Sequence, residues 1–157
     1  MKVIFLDHDG VICLQQQWGK RRKLQTKFDP FDIKAIKALN KVLGSTGAVI
    51  VCSSDWRLYA PLEEMRGVYN ERGIVGKLVG YTDILDMLVE EKHLPEKSLL
   101  ASIRSREINA WVEKQKPDKW VAIDDLPLTV ENFVLTPINA EGIKQTGIVD
   151  KVIQCLQ

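Results

Sequence analysis

Residues 3–12 read VIFLDHDGVI, an apolar run that ends in two acids one residue apart, Asp7 and Asp9, followed by Gly10. The segment KVIFLD, 2–7, shows no alternation of polar and apolar residues. That is the pattern of a strand buried on both faces of a parallel sheet. Like charges this close repel unless something positive lies between them. A bound cation, a phosphate with its metal, or a solvated turn would each resolve the repulsion.

Two later runs repeat the pattern. GAVIVCSS, 47–54, ends in Ser53 and Ser54, and KWVAIDDLP, 119–127, carries Asp124 and Asp125. KLVGYT, 77–82, and NFVLT, 132–136, read as shorter strands. Between them lie helical patterns. FDPFDIKAIKALNKVLG predicts a helix capped by Asp29, with Pro30 in its first turn and Gly44 as its stop. Further helices are expected over 60–73, 83–94, 105–115 and 146–157, while 8–28 reads as polar and irregular. Strands alternating with helices predict an α/β fold with a mostly parallel sheet covered on both faces. Such sheets bind ligands at the carboxyl ends of their strands. Three strands would therefore deliver Asp7 and Asp9, Ser53 and Ser54, and Asp124 and Asp125 to one edge.

Composition narrows the possibilities without choosing among them. A chain of 157 residues with 45% apolar and 27% charged residues suits one globular domain spanning 1–157. The net charge of +1 points to no polyanionic or polycationic partner, so nucleic-acid affinity would need a local patch. Cys13, Cys52 and Cys155 lack metal-ligand or disulfide spacing, which fits a reducing cytoplasm. No signal peptide and no membrane-spanning run is expected.

Four carboxylates converging on one edge call for a hard divalent ion, most simply Mg²⁺, which also ligates a substrate phosphate. A serine hydroxyl at the same edge can donate to a phosphate oxygen, and a cationic side chain would neutralise charge in the transition state.

DHDG after a first strand, a serine ending a second and DD ending a late one together resemble the haloacid dehalogenase-like (HAD) phosphohydrolase superfamily. The resemblance covers nearly the whole chain. It implies a Rossmann-like three-layer sandwich and a Mg²⁺-dependent phosphatase working through an aspartyl-phosphate. Asp7 would be the nucleophile, and Asp9 would protonate the leaving oxygen and then activate water. Mg²⁺ would be held by the Asp7 carboxylate, the Asp9 main-chain carbonyl and Asp124, with Asp125 as a ligand through water or as an orienter. Gly10 would let the backbone turn closely around the phosphate, and Ser53, with Ser54 as the alternative, would bind it. The cation the superfamily requires would come from Arg104, at the start of the RSREINAWV helix, or from Lys97, Lys116 or Lys119. The strings SSDWR, RSREINAW, VAIDD and INAEGI further resemble domains found in RNA-repair proteins and polynucleotide kinase-phosphatases.

No segment is long enough to form a large cap domain, so the site is expected to be open, as suits macromolecular ends. The basic run WGKRRKLQTKF, 18–28, is either a solvated loop or an arm beside the active-site mouth. In the second case Arg21 and Arg22 would grip a phosphodiester backbone while Trp18 or Phe28 stacks on a base. Trp18 also fits an exposed loop or a lid contact. Arg57 and Trp56, just after the serines, would line the same mouth, although Trp56 equally fits a core position. His8 should turn away from Asp7 and Asp9, because successive side chains alternate. The alternatives are a small-metabolite phosphatase and a non-catalytic phosphate- or nucleic-acid-binding module on the same fold. A phospho-receiver domain would place its paired acids first, and a nuclease would not need the serine.

Overall fold

The computed structural model describes residues 1–157. Five strands, β1 (Lys2–Leu6), β2 (Val49–Cys52), β3 (Leu78–Tyr81), β4 (Lys119–Asp124) and β5 (Phe133–Leu135), form one sheet in the order β3-β2-β1-β4-β5. Every pairing is parallel. β1 lies in the middle, with Leu6 opposite Cys52 on one side and Ile123 on the other. Both of its edges are therefore paired and helices cover both of its faces, which accounts for its unbroken apolar sequence.

The helices are α1 (Lys20–Leu24), α2 (Ile33–Thr46), α3 (Leu62–Glu71), α4 (Glu96–Gln115) and α5 (Ile148–Cys155). Ile4, Leu6, Ile50, Cys52, Val121 and Ile123 point to the face covered by α2, α3 and α5. Val3, Phe5, Val51 and Ala122 point to the face covered by α4. This division follows from right-handed crossovers: the chain steps one way from β1 to β3 and the other way from β3 to β4. On the α4 face, Phe5 meets Trp111 and Trp120 edge-on at 5.3 and 5.7 Å. The result is the expected Rossmann-like three-layer α/β sandwich without a large cap. No helix is long and apolar enough to cross a membrane.

Several local expectations need correction. The cap of α2 is Asp32, whose carboxylate accepts from the Ala35 N–H at 2.9 Å. Asp29 instead accepts from the backbone N–H groups of Gly19 and Arg21. The helix runs past Gly44 to Thr46, and Gly47 (φ 68°) supplies the left-handed stop. Within the segment read as irregular, 20–24 forms the short helix α1. Residues 83–94 form no helix beyond a single 3₁₀ turn at Val89–Glu91. Ile84, Met87 and Val89 are exposed there, so no packed face exists to hold a helix. Conversely, α4 begins nine residues before the predicted position, at Glu96 after Pro95. Arg104 is thus in mid-helix and does not begin it.

Candidate active site

The crevice between β1 and β4 is where the direction of the crossovers reverses, the usual ligand position in such sheets. Backbone pairing carries both strand ends to it. The Asp7 N–H donates to the Ile123 carbonyl at 3.1 Å, and the Ser53 N–H donates to the Leu6 carbonyl at 3.2 Å. Asp7, Asp124, Ser53 and Ser54 are all buried at this edge. Each of Asp7, Asp124 and Asp125 offers a carboxylate oxygen, and these oxygens lie within 4.8 Å of one another.

Arg104 reaches into this cluster from α4. Its guanidinium donates to both Asp124 oxygens at 2.9 and 3.1 Å and pairs with Asp7 at 3.4 Å and Asp55 at 3.2 Å. One cation thus faces more negative charge than it balances. Burial and the Asp124 charge hold the Asp7 carboxyl well above its usual range, against the pull of Arg104. Burial and Asp124 likewise push Asp125 up to about 6. Burial by itself would lower Arg104, but Asp7, Asp124 and Asp55 outweigh it and hold the guanidinium charged. Hard oxygen donors, mutual repulsion and incomplete neutralisation fit a divalent cation held by Asp7, Asp124 and Asp125.

Asp9 stands apart from this cluster. The chain turns sharply after His8, whose carbonyl accepts from the N–H groups of Val11, Ile12 and Cys13. The Asp9 carboxylate is turned to the other side, where Trp56 Nε1–H donates to it at 3.2 Å. Desolvation raises this carboxyl, and the indole hydrogen bond opposes the rise. Gly10 has φ +79°, and a Cβ there would meet Asp125 and lie 2.8 Å from Asn139 Oδ1. Only glycine fits this turn without strain. Thr136 Oγ1–H fixes the turn by donating to the Gly10 carbonyl at 2.9 Å.

The two serines differ. Ser54 Oγ accepts from the Trp56 N–H and caps the 3₁₀ turn Asp55–Leu58. Ser53 Oγ is buried with no hydrogen-bond partner. A buried hydroxyl without a partner is costly unless a ligand supplies one.

Among the candidate cations, only Arg104 joins the cluster. Lys97 is exposed in the first turn of α4. Lys116 ends α4, and Lys119 opens β4 at the opposite edge of the sheet. Arg57 does not line the mouth, which corrects the expectation. It is buried, donates to the carbonyls of Ser53, Ser54 and Thr82 at 3.1–3.2 Å, and pairs with Glu107 at 2.8 Å. Phe28 is also not free for a base, because it is buried and stacked on Trp56 with centroids 4.7 Å apart. Trp18 remains 41% exposed, its indole N–H donating to the Cys13 carbonyl. Arg21 and Arg22 project from α1, exposed and without an ion pair. His8 turns into the core as alternation requires. Its Nε2 lies 2.6 Å from Tyr69 Oη, and burial lowers its pKa to about 3.

Sequence reasoning missed Asp55 and Glu107, which hold the two buried arginines. The signal for Asp55 was present: an acid directly after strand-end serines lies at the same edge. Glu107 carried no such signal, because its importance depends on a partner fifty residues away in the chain.

Over residues 3–147 the chain matches the family described as the HAD domain in Swiss Army Knife RNA repair proteins. No curated protein and no solved structure matches it. A match of that extent, carried on this sheet, settles the family: the chain belongs to the HAD domains of Swiss Army Knife RNA repair proteins.

Proposed function

We propose that the chain is a Mg²⁺-dependent phosphomonoesterase that acts through an aspartyl-phosphate on the terminal phosphate of a nucleic acid or on a nucleotide. The observation that carries this reading is the cluster of buried Asp7 and Asp124 with half-buried Asp125, which one guanidinium leaves incompletely neutralised. A binding module would have little use for Asp9 held apart from that cluster with its carboxyl raised. The family's occurrence in RNA repair proteins supports a nucleic-acid end as substrate.

In this mechanism an Asp7 carboxylate oxygen attacks phosphorus and the bond to the leaving oxygen breaks. Asp9 gives its proton to that oxygen. Water then attacks the phosphorus of the aspartyl-phosphate, passes a proton to Asp9 and releases Asp7. Arg104 and the Ser53 hydroxyl bind the non-bridging oxygens and stabilise the charge on them. Asp7, the Asp9 carbonyl, Asp124 and Asp125 would hold a divalent cation, which would supply further charge neutralisation.

The test is phosphate release from an aryl phosphate, a 5′-nucleotide and oligonucleotides phosphorylated at either end. Each is run with Mg²⁺, with chelator and with Asp7→Asn. Release should require Mg²⁺ and fall at least about ten-thousandfold in Asp7→Asn. Replacing Arg21 and Arg22 by Gln should raise KM about tenfold on the oligonucleotides and leave the aryl phosphate unchanged. A folded, Mg²⁺-binding protein that releases phosphate from none of them would point to the binding module.

A further inference from the structure

The proposed acid, Asp9, forms part of the wall of a cleft of about 490 Å³. Three carboxylates, Asp9, Asp29 and Asp55, line it, and Asp29 is held by the backbone N–H groups of Gly19 and Arg21. Arg21 and Lys27 from the α1 region border it, and Trp56 and Tyr59 from the turn after β2 also line it. Its size suits one nucleoside, near the lower end of ordinary ligand sites. A cavity of about 430 Å³ between β5 and α5 has no carboxylate in its lining and lies away from the strand-end acids.

The aromatic groups of this cleft are not equivalent. Phe28 and Trp56 are buried and stacked on each other, and the Trp56 N–H is used by Asp9. Tyr59 is 66% exposed, and its side chain makes no hydrogen bond or ring contact within the chain. Nothing in the fold requires an aromatic ring there, since the Tyr59 N–H alone closes the 3₁₀ turn by donating to the Trp56 carbonyl. Across the cleft, the Arg21 side chain has no ion pair, whereas Lys27 is held by Glu64 at 2.8 Å. A free ring face and a free guanidinium bordering one cleft match a base and the next phosphodiester along a strand.

Building on the phosphomonoesterase reading, we infer that this cleft is the subsite for the nucleoside bearing the terminal phosphate. Its base stacks on Tyr59 and the adjoining phosphodiester pairs with Arg21. The subsite takes an unpaired end, because a cleft of about 490 Å³ holds one nucleoside and leaves no room for a base pair.

Fluorescence anisotropy of a labelled, terminally phosphorylated single strand tests this in an Asp7→Asn background, where no turnover occurs. The probes are that strand, its unphosphorylated form, and a phosphorylated strand with an abasic terminal sugar. Tyr59→Ala should weaken binding of the first by at least about fivefold, and Tyr59→Phe should restore it. The abasic strand should bind weakly from the start and respond little to Tyr59→Ala. Equal response of the normal and abasic strands to Tyr59→Ala overturns the subsite, as does failure of every strand to bind. Neither result touches the phosphatase reading, which is judged separately by Mg²⁺-dependent phosphate release from the small substrates.

Discussion

Two buried arginines stand at the same edge of the sheet, and their surroundings differ. Arg57, beneath the ends of β2 and β3, gives its donors to three backbone carbonyls and to Glu107, and shares Asp55 with Arg104 at 3.5 Å. Glu107 in turn accepts from the Leu85 N–H at 2.9 Å. Little is left over, and the group ties the strand-end serines, the start of the 83–94 segment and α4 into one frame. Arg104, beneath β1 and β4, meets Asp7, Asp124 and Asp55 and no backbone carbonyl. Negative charge remains after it is counted, and Ser53 Oγ, at the same edge of the sheet, has no partner. A balanced network serves the fold. An unbalanced one implies something that arrives from outside.

The largest effects should separate the two. Arg104→Ala is expected to cut kcat by about a hundredfold to a thousandfold, through lost stabilisation of the transferring phosphoryl group. Its loss of thermal stability should be modest with Mg²⁺ present. Arg57→Ala should do the reverse. It leaves Glu107 buried and unpaired, costing about 3–5 kcal/mol. That lowers Tm by roughly 6–20 °C and, well below the transition, changes kcat by less than about tenfold. Paired kinetics and calorimetry decide. If Arg104→Ala lowers Tm and spares kcat, the distinction between the two arginines is wrong.

The same contrast explains what the sequence could reveal. Strands buried on both faces are unbroken apolar runs, so β1, β2 and β4 and the polar residues that end them are legible without a partner. The acids of DHDG and DD follow directly from those strand ends. Helix α4 is longer than its periodicity predicts because its buried face is not apolar: Arg104, Ser105 and Glu107 lie on it beside Ala101 and Ile108. The same polarity hid Glu107. The error at 83–94 is the converse, since Ile84, Met87 and Leu88 have helical spacing with nothing to pack against. Nearness to the serines and to the basic run 18–28 points Arg57 and Phe28 to the mouth. Their side chains point inward, and sequence position alone carries no information on that.

A smaller effect sharpens the idea of unbalanced charge. Because the folded pKa of Asp125 is raised to about 6, its carboxyl stabilises the cation-free chain at low pH. That contribution is lost as pH rises through about 6, where the folded chain gives up a proton that the unfolded chain released near pH 4. A divalent cation binds the deprotonated form, so its effect grows over the same range. Added Mg²⁺ should raise Tm by about 2–4 °C per kcal/mol of binding near neutral pH and far less at about pH 5. His8, held down at about 3 by burial, has the opposite pH dependence and cancels when the two conditions are compared. An equal Mg²⁺ shift at both pH values would place the ion away from these carboxylates.

The most direct test of the central claim is a search for the covalent intermediate. The chain would be mixed with substrate carrying a labelled terminal phosphate, quenched in acid and digested. Label on the peptide containing Asp7, increased in Asp9→Asn and absent in Asp7→Asn, is the result this account predicts. Mg²⁺-dependent phosphate release that survives in Asp7→Asn, with no labelled peptide in either chain, would contradict it.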